Sequence, residues 1–293
     1  MMRVAMIITR ARAEEKLLLK AFQRRGIEPE LIRDEELVLN PLAIDPRWSE
    51  FDIVFLRTIS TSRGLYLLEY FDRWEVPTVN SLRTANICAD KFKTSLALAR
   101  AGLPQPEVRL AFTPRSTLEA VGELGYPAVL KPVIGSWGRL LAKVNDVDAA
   151  EAVLEHRQTL GNFAYHVHFV QSYVDKPHGR DIRAFVISGK TICAIYRSSS
   201  HWVTSTARGA LAENCPVGAE LQDLCQRASD AVGGGVLAMD LFETEVGLVL
   251  NEINHGMEFR NSIEPTGVDI ASKIVDYALT LAERHRQEGS EQT

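Results

Sequence analysis

The two stretches Val236-Leu-Ala-Met-Asp240-Leu-Phe-Glu243 and Leu248-Val-Leu-Asn-Glu252-Ile-Asn254 decide how the rest of the chain is read. Each is a short apolar run interrupted by an acid, the composition of a buried strand. Side chains alternate along a strand, so Glu252 and Asn254, two apart, project from one face. In a hairpin Asp240 can lie opposite them. Two carboxylates and an amide oxygen in a crowded site are hard ligands suited to Mg2+, which in turn accepts nucleotide phosphates. The plainer alternative places both acids on the outer face of amphipathic strands. Isolated acids on apolar strands favour the shared site, because such charges are costly without a partner.

Upstream, Tyr126-Pro-Ala-Val-Leu-Lys131-Pro-Val-Ile-Gly135-Ser-Trp-Gly138-Arg139 puts a lysine at the end of a buried strand. A glycine-containing loop and a return strand at 140–144 follow, a cation and close backbone amides above a phosphate chain. Any hairpin can carry a lysine and two glycines, so this signal is weak alone. Lys91, opening the helix Asp90-Lys-Phe-Lys-Thr94, is a second candidate cation or an ordinary solvated helix residue. In Phe169-Val-Gln171-Ser-Tyr173-Val174, exposed backbone groups at a domain connection suit an adenine edge, and Asp181 suits ribose hydroxyls. An ordinary strand and turn reads the same way. The polar stretch from Tyr196 to Ala210 carries Arg197 and Arg208, whose forks suit phosphates and carboxylates. Its His201 reads as a loop hydrogen-bonding residue rather than a general base.

The 293 residues exceed one ordinary domain, and 46% hydrophobic with 24% charged residues is the composition of a globular protein. Strands at 4–9, 51–56 and 78–79 alternating with helices at 13–25 and 65–74 imply a small parallel α/β domain over 1–85. A helix at 86–100 opens a central α+β domain (86–175) with strands at 129–131, 140–144 and 169–173 and helices at 116–125 and 149–160. A C-terminal α+β domain (176–284) has a hairpin of 182–187 and 192–196, a helix at 220–231, the two acid-bearing strands and a helix at 270–284. A polar tail, 285–293, is expected to be flexible. Neither a Gly-x-Gly-x-x-Gly turn nor a Gly-x-x-x-x-Gly-Lys-Ser/Thr loop occurs, so neither dinucleotide nor P-loop chemistry is supported.

No apolar run approaches the ~20 residues of a membrane span, and the N-terminus turns polar too early for a secretory signal, which points to the cytoplasm. The dispersed Cys88, Cys193, Cys215 and Cys225 read as free thiols. A net charge of −5 argues against a nucleic-acid partner. Yet residues 1–33 hold eight basic residues against four acidic ones.

Taken in order, Lys91, Lys131-Pro with Gly135-Ser-Trp-Gly138, Gln171-x-Tyr-Val174, Asp181-Ile-Arg183, Asp240 and Glu252-x-Asn254 resemble the ATP-grasp superfamily over nearly the whole chain. Within it the sequence is similar to RimK-type ligases, and among those to the LysX-type enzymes that join α-aminoadipate to the carrier protein LysW. Four stretches carry this likeness: 90–106, 129–143, Thr206-Ala-Arg-Gly209 with Ala212-Glu-Asn-Cys-Pro216, and Asn251-Glu-Ile-Asn-His-Gly-Met-Glu-Phe259.

The resemblance implies an ATP-grasp fold whose central and C-terminal domains clamp ATP. By it, Lys91, Lys131 and the Gly135, Ser136, Trp137, Gly138 loop meet the nucleotide phosphates, Gln171 and Val174 line the adenine, and Asp181 holds the ribose. Asp240, Glu252 and Asn254 bind Mg2+, and Arg197 and Arg208 are catalytic, holding phosphate or substrate carboxylate. It further implies a homo-oligomer, a small acidic LysW-like carrier, and α-aminoadipate or glutamate as the amino acid; a RimK-like glutamate ligase acting on another protein tail is a further alternative. Two positions depart from the family pattern: Ser172 stands where the hinge commonly has an acid, and Ala210 where a second glycine is common. Lys16, Lys20 and Arg24, spaced four apart, with Arg10 and Arg12, either attract the acidic carrier or form a solvated helix face.

Overall fold

The computed structural model describes residues 2–135, 138–161 and 166–291. The chain opens with a parallel sheet of order β2-β1-β3-β4, from β1 (Val4–Ile8), β2 (Glu30–Arg33), β3 (Ile53–Arg57) and β4 (Thr78–Val79). All five residues of β1 are buried, as in a strand covered on both faces. Helix α1 (Ala13–Gln23) lays Leu18, Ala21 and Phe22 on one face, where Phe22 meets Phe55 edge-to-face at 5.3 Å. Helix α2 (Thr61–Arg73) packs Leu67 and Phe71 against Trp48 on the other. β2, whose burial pattern is mostly exposed, had no expectation in the sequence.

The helix expected at 86–100 is two helices, α3 (Leu82–Cys88) and α4 (Lys91–Arg100), so the 85/86 boundary cuts α3. The break follows from Asp90, whose carboxylate accepts from the backbone N–H groups of Phe92 and Lys93 at 2.9 and 3.0 Å and starts a new helix with Lys91 as its first residue.

The central antiparallel sheet has the order β5-β8-β6-β7, from β5 (Val108–Ala111), β6 (Ala128–Pro132), β7 (Ala142–Val144) and β8 (His168–Ser172). Period-two alternation sorts its faces. Ala128, Leu130 and Val170 pack under α5 (Pro114–Leu124) and α6 (Val147–Leu160), while Val129, Lys131 and Gln171 face a cavity.

The third sheet, β11-β10-β9-β12-β13, is antiparallel throughout and comprises β9 (Arg180–Ile187), β10 (Lys190–Ser198), β11 (Leu211–Cys215), β12 (Val236–Thr244) and β13 (Gly247–Asn254). One face, with Ile182, Ala184, Leu237 and Met239, packs on α4 and α7 (Ala219–Val232). The other is apolar at Phe185, Ile187, Val236 and Ala238, where it meets the N-terminal domain, α8 (Arg260–Thr266) and α9 (Ile270–Glu291). Along that same face β9 turns charged, at Arg183 and Asp181, and there the central domain covers it. Helix α9 runs past the expected end at 284, because Glu283, Arg284, Arg286, Gln287 and Glu288 are good helix formers with no breaker before Gly289.

Candidate active site

The cavity between the central and C-terminal sheets has a volume of about 190 Å3. β12 and β13 pair so that Asp240 stands opposite Glu252, and Ala238 opposite Asn254. The three oxygen-bearing side chains expected to share a face all line the cavity. Among the described residues there is no group of three or more His, Cys, Asp or Glu side chains able to hold a metal, so any cation here rests on two carboxylates and an amide. That donor set fits Mg2+, which is commonly held by one or two carboxylates and takes its other ligands from water and phosphate.

The positive side of the cavity faces these acids. Lys91 Nζ lies 3.2 Å from Glu252 Oε1 and donates to the Gly135 carbonyl at 2.9 Å. Lys131 is buried, and Nζ donates to Gln171 Oε1 at 2.8 Å and Asn251 Oδ1 at 3.0 Å. Burial, with Lys91 adding to it and Glu252 and Asp240 opposing it, pushes the Lys131 ammonium down to about 8. Burial also acts to raise Glu252, but Lys91 and Lys131 outweigh it and hold the carboxylate below its ordinary value. For Asp240 burial wins over Arg183 and Arg197 and raises the carboxyl.

Arg197 sits differently from expectation. It is buried, forks onto both oxygens of Asp181 at 2.7 Å, and reaches Asp240 at 3.2 Å. The second Asp181 oxygen also accepts from the Thr204 hydroxyl. Asp181 and Arg197 therefore line the cavity engaged with each other, with Asp240 and with Thr204. Arg208 does not line it. Its Nη2 donates to the Gly138 carbonyl at 2.8 Å, tying β10's following loop to the glycine loop. Gly138 adopts φ +62, and an added Cβ there would crowd Val203 at 3.0 Å. Gly135, Gln171 and Val174 line the cavity, and Ser136 and Trp137 lie outside the described residues. His201 accepts from the Val203 amide through Nδ1 at 3.0 Å, the loop role its setting suggested.

Arg183, Lys176, Phe242 and Asn251 are among the cavity residues that had no role in the sequence reading. Arg183, two residues from Asp181 and so on its face, lies opposite Asp240 in the ladder and 3.2 Å from it, and its buried Nε has no hydrogen-bond partner among the described residues. That spacing was a usable signal. Lys176 donates to the Trp202 carbonyl and to Thr204 Oγ1 at 3.3 Å, and Phe242 lies beneath it at 5.5 Å. Asn251 should point away from Glu252 by strict alternation. A bulge places one extra residue between Leu250 and Glu252, the partners of Leu241 and Asp240, and brings Asn251 to Lys131 and Gln171.

In the basic N-terminal segment, Arg24 bridges to Asp269 at 2.8 Å, and Arg12 pairs with Glu15 and Glu258 at 3.0 and 3.1 Å. Lys16 and Lys20 remain exposed on α1.

A small parallel α/β domain followed by two antiparallel sheets that close on a lysine-and-carboxylate cavity is the architecture of an ATP-grasp ligase. A model of the RimK-like ATP-grasp domain matches residues 88–278, and one of the LysX preATP-grasp domain matches residues 4–87. The chain belongs to the RimK-like ATP-grasp family. It is 32% identical to the glutamate–LysW ligase ArgX of Sulfolobus acidocaldarius, over 94% of this chain and 98% of that protein. It is also 32% identical to the α-aminoadipate–LysW ligase LysX of Saccharolobus solfataricus, over 91% of this chain and 97% of that one. The crystal structure of a RimK domain ATP-grasp protein from Sphaerobacter thermophilus superposes with a TM-score of 0.80 at 31% identity, covering 94% of this chain and 99% of that one. Among the described residues no helix is long and apolar enough to cross a membrane.

Proposed function

We propose that the protein joins the α-amino group of an acidic amino acid to the side-chain carboxylate of the C-terminal glutamate of a LysW-type carrier, with α-aminoadipate as the amino acid. A second reading, glutamate, is favoured by the ArgX-named relative at the same identity. The observation that carries the proposal is the opposition of Asp240 and Glu252 across β12 and β13, facing Lys91 and Lys131 between two domains.

A carboxylate does not acylate an amine in water at useful rates, because its leaving group is poor. In the proposed reaction a carboxylate oxygen attacks the γ-phosphorus of ATP and the bond to ADP breaks, leaving an acyl phosphate. The amine then attacks the acyl carbon, the C–O bond to phosphate breaks, and the nitrogen loses a proton. Both partners of the first step are anions, so positioned cations supply most of the acceleration.

Lys91 and Lys131 take the phosphate oxygens, and the unpartnered Arg183 Nε is a further donor for the transferring group. Gln171 and Val174 border the adenine end. With Asp181 engaged by Arg197, this pair shapes the wall beside the ribose and steadies Asp240. Asp240, Glu252 and Asn254 would hold Mg2+, which when bound neutralises phosphate charge. The Arg208 tie to Gly138 holds that glycine at the cavity wall, where it helps shield the acyl phosphate from water.

The test supplies ATP, Mg2+, a LysW-type carrier and both amino acids at equal concentration, and reads the mass shift of the carrier. The aminoadipate adduct is expected to dominate. A dominant glutamate adduct selects the second reading, and no adduct or ADP with any acidic carrier refutes ligation. Joint replacement of Asp240, Glu252 and Asn254 by alanine should abolish turnover.

A further inference from the structure

Asn80, the first residue after β4, belongs to the N-terminal domain yet is buried against the C-terminal sheet. Its carboxamide makes three hydrogen bonds, all to backbone far along the chain. Nδ2 donates to the carbonyls of Val236 and His255, each at 2.8 Å, and Oδ1 accepts from the Val236 N–H at 2.6 Å.

The ladder explains why these groups need it. On its other side Val236 pairs with Ile187 of β9, but the pairing of β12 with β13 ends at Ala238 and Asn254. Beyond that rung the two strands part, leaving the Val236 N–H and C=O and the His255 C=O without ladder partners. Buried backbone groups in that position need replacements. The Asn80 amide supplies them: its oxygen and one N–H take Val236 as a neighbouring strand would, and its second N–H reaches His255. Both donors and the acceptor are used, so the orientation of the amide is set by its partners. Gly235 makes the approach possible. It holds φ +97, and a Cβ there would collide with Asn80 Oδ1.

His255 is the residue directly after Asn254. We infer that Asn80 is a positioning residue for Asn254: by bridging Val236 to the His255 carbonyl it closes the open end of the β12–β13 hairpin and sets where the Asn254 amide meets the cation. The inference rests on the reading of Asn254 as a cation ligand. It also makes the N-terminal domain part of the cation site without contributing a ligand to it.

The test titrates Mn2+ by electron paramagnetic resonance in the presence of a non-hydrolysable ATP analogue, with analogue affinity in EDTA and thermal midpoint measured alongside. Asn80→Ala should weaken Mn2+ about tenfold or more, the scale of losing an outer partner of a metal ligand, and leave the metal-free analogue affinity unchanged. Asn80→Ser, which keeps one donor and one acceptor, should fall between and covers the case in which Asn80→Ala does not fold. Asn254→Ala and the double variant Asn80→Ala/Asn254→Ala should bind Mn2+ equally weakly, since the first residue acts through the second. Unchanged Mn2+ affinity in both Asn80 variants with only a lowered midpoint, or losses that multiply in the double variant, overturns the inference alone. Unchanged Mn2+ affinity in Asn254→Ala overturns the cation-site reading and the inference with it.

Discussion

Raising the pH from 7 to 9 should weaken binding of a non-hydrolysable ATP analogue about tenfold, through Lys131. Lys131 is 6% exposed, and its two hydrogen-bond partners, Gln171 and Asn251, are neutral amides that do not offset its charge. Burial therefore brings it to about 8, against an ordinary 10.5. A phosphate partner stabilises the charged form and raises that value in the complex. Binding then takes up a proton wherever free Lys131 is neutral: affinity is full below pH 8 and is lost as pH rises through it. At pH 9 roughly one molecule in eleven carries the charge, which gives the tenfold loss and an uptake of about 0.9 proton per site. Calorimetry in two buffers of different ionisation enthalpy measures both quantities. Lys131→Met should bind weakly at every pH, and Lys131→Arg should keep binding without the alkaline fall. A flat profile in the wild type, or the same slope in Lys131→Met, refutes the reasoning.

Arg197→Met strips the cation from two buried carboxylates and should cost about 3–5 kcal/mol. At roughly 2–4 °C per kcal/mol that is a fall in Tm of about 6–20 °C, measurable by calorimetry and partly recovered by adding Asp181→Asn; no recovery would mean that Arg197 acts elsewhere. Arg208→Ala releases the Gly138 carbonyl and should raise ADP release uncoupled from adduct formation, read by comparing ADP with carrier mass shift. Lys16→Glu with Lys20→Glu should raise KM for the carrier and reduce its salt dependence, whereas unchanged salt dependence assigns α1 to plain solvation. Arg24, bridged to Asp269, is expected to affect stability instead.

Much of the fold was legible because it rests on local pattern. The apolar runs of β1 and β3 and the Gly233-Gly234-Gly235 break announce themselves over a few residues. Three edge strands did not: β2, β5 and β11 are short and poorly buried, and pairing with β1, β8 and β10 makes them strands. The split of 86–100 turned on whether Asp90 caps or merely sits in a helix, a choice that depends on local hydrogen bonds.

At the site, the two-residue repeat of a strand was enough by itself to put Glu252 and Asn254 on one face, since alternation is a property of the backbone alone, whereas the register that sets Asp240 opposite Glu252 comes from the pairing of β12 with β13. Arg197 was found, but its occupation by Asp181 and Asp240 depends on which strands become neighbours in β10-β9-β12. Asn251 entered through a bulge that breaks the alternation, and Asn80 reached Val236 across 156 positions of chain. Periodicity reports which way a side chain points from its own strand. What it meets there is decided by packing between elements distant in sequence, which only the tertiary structure contains.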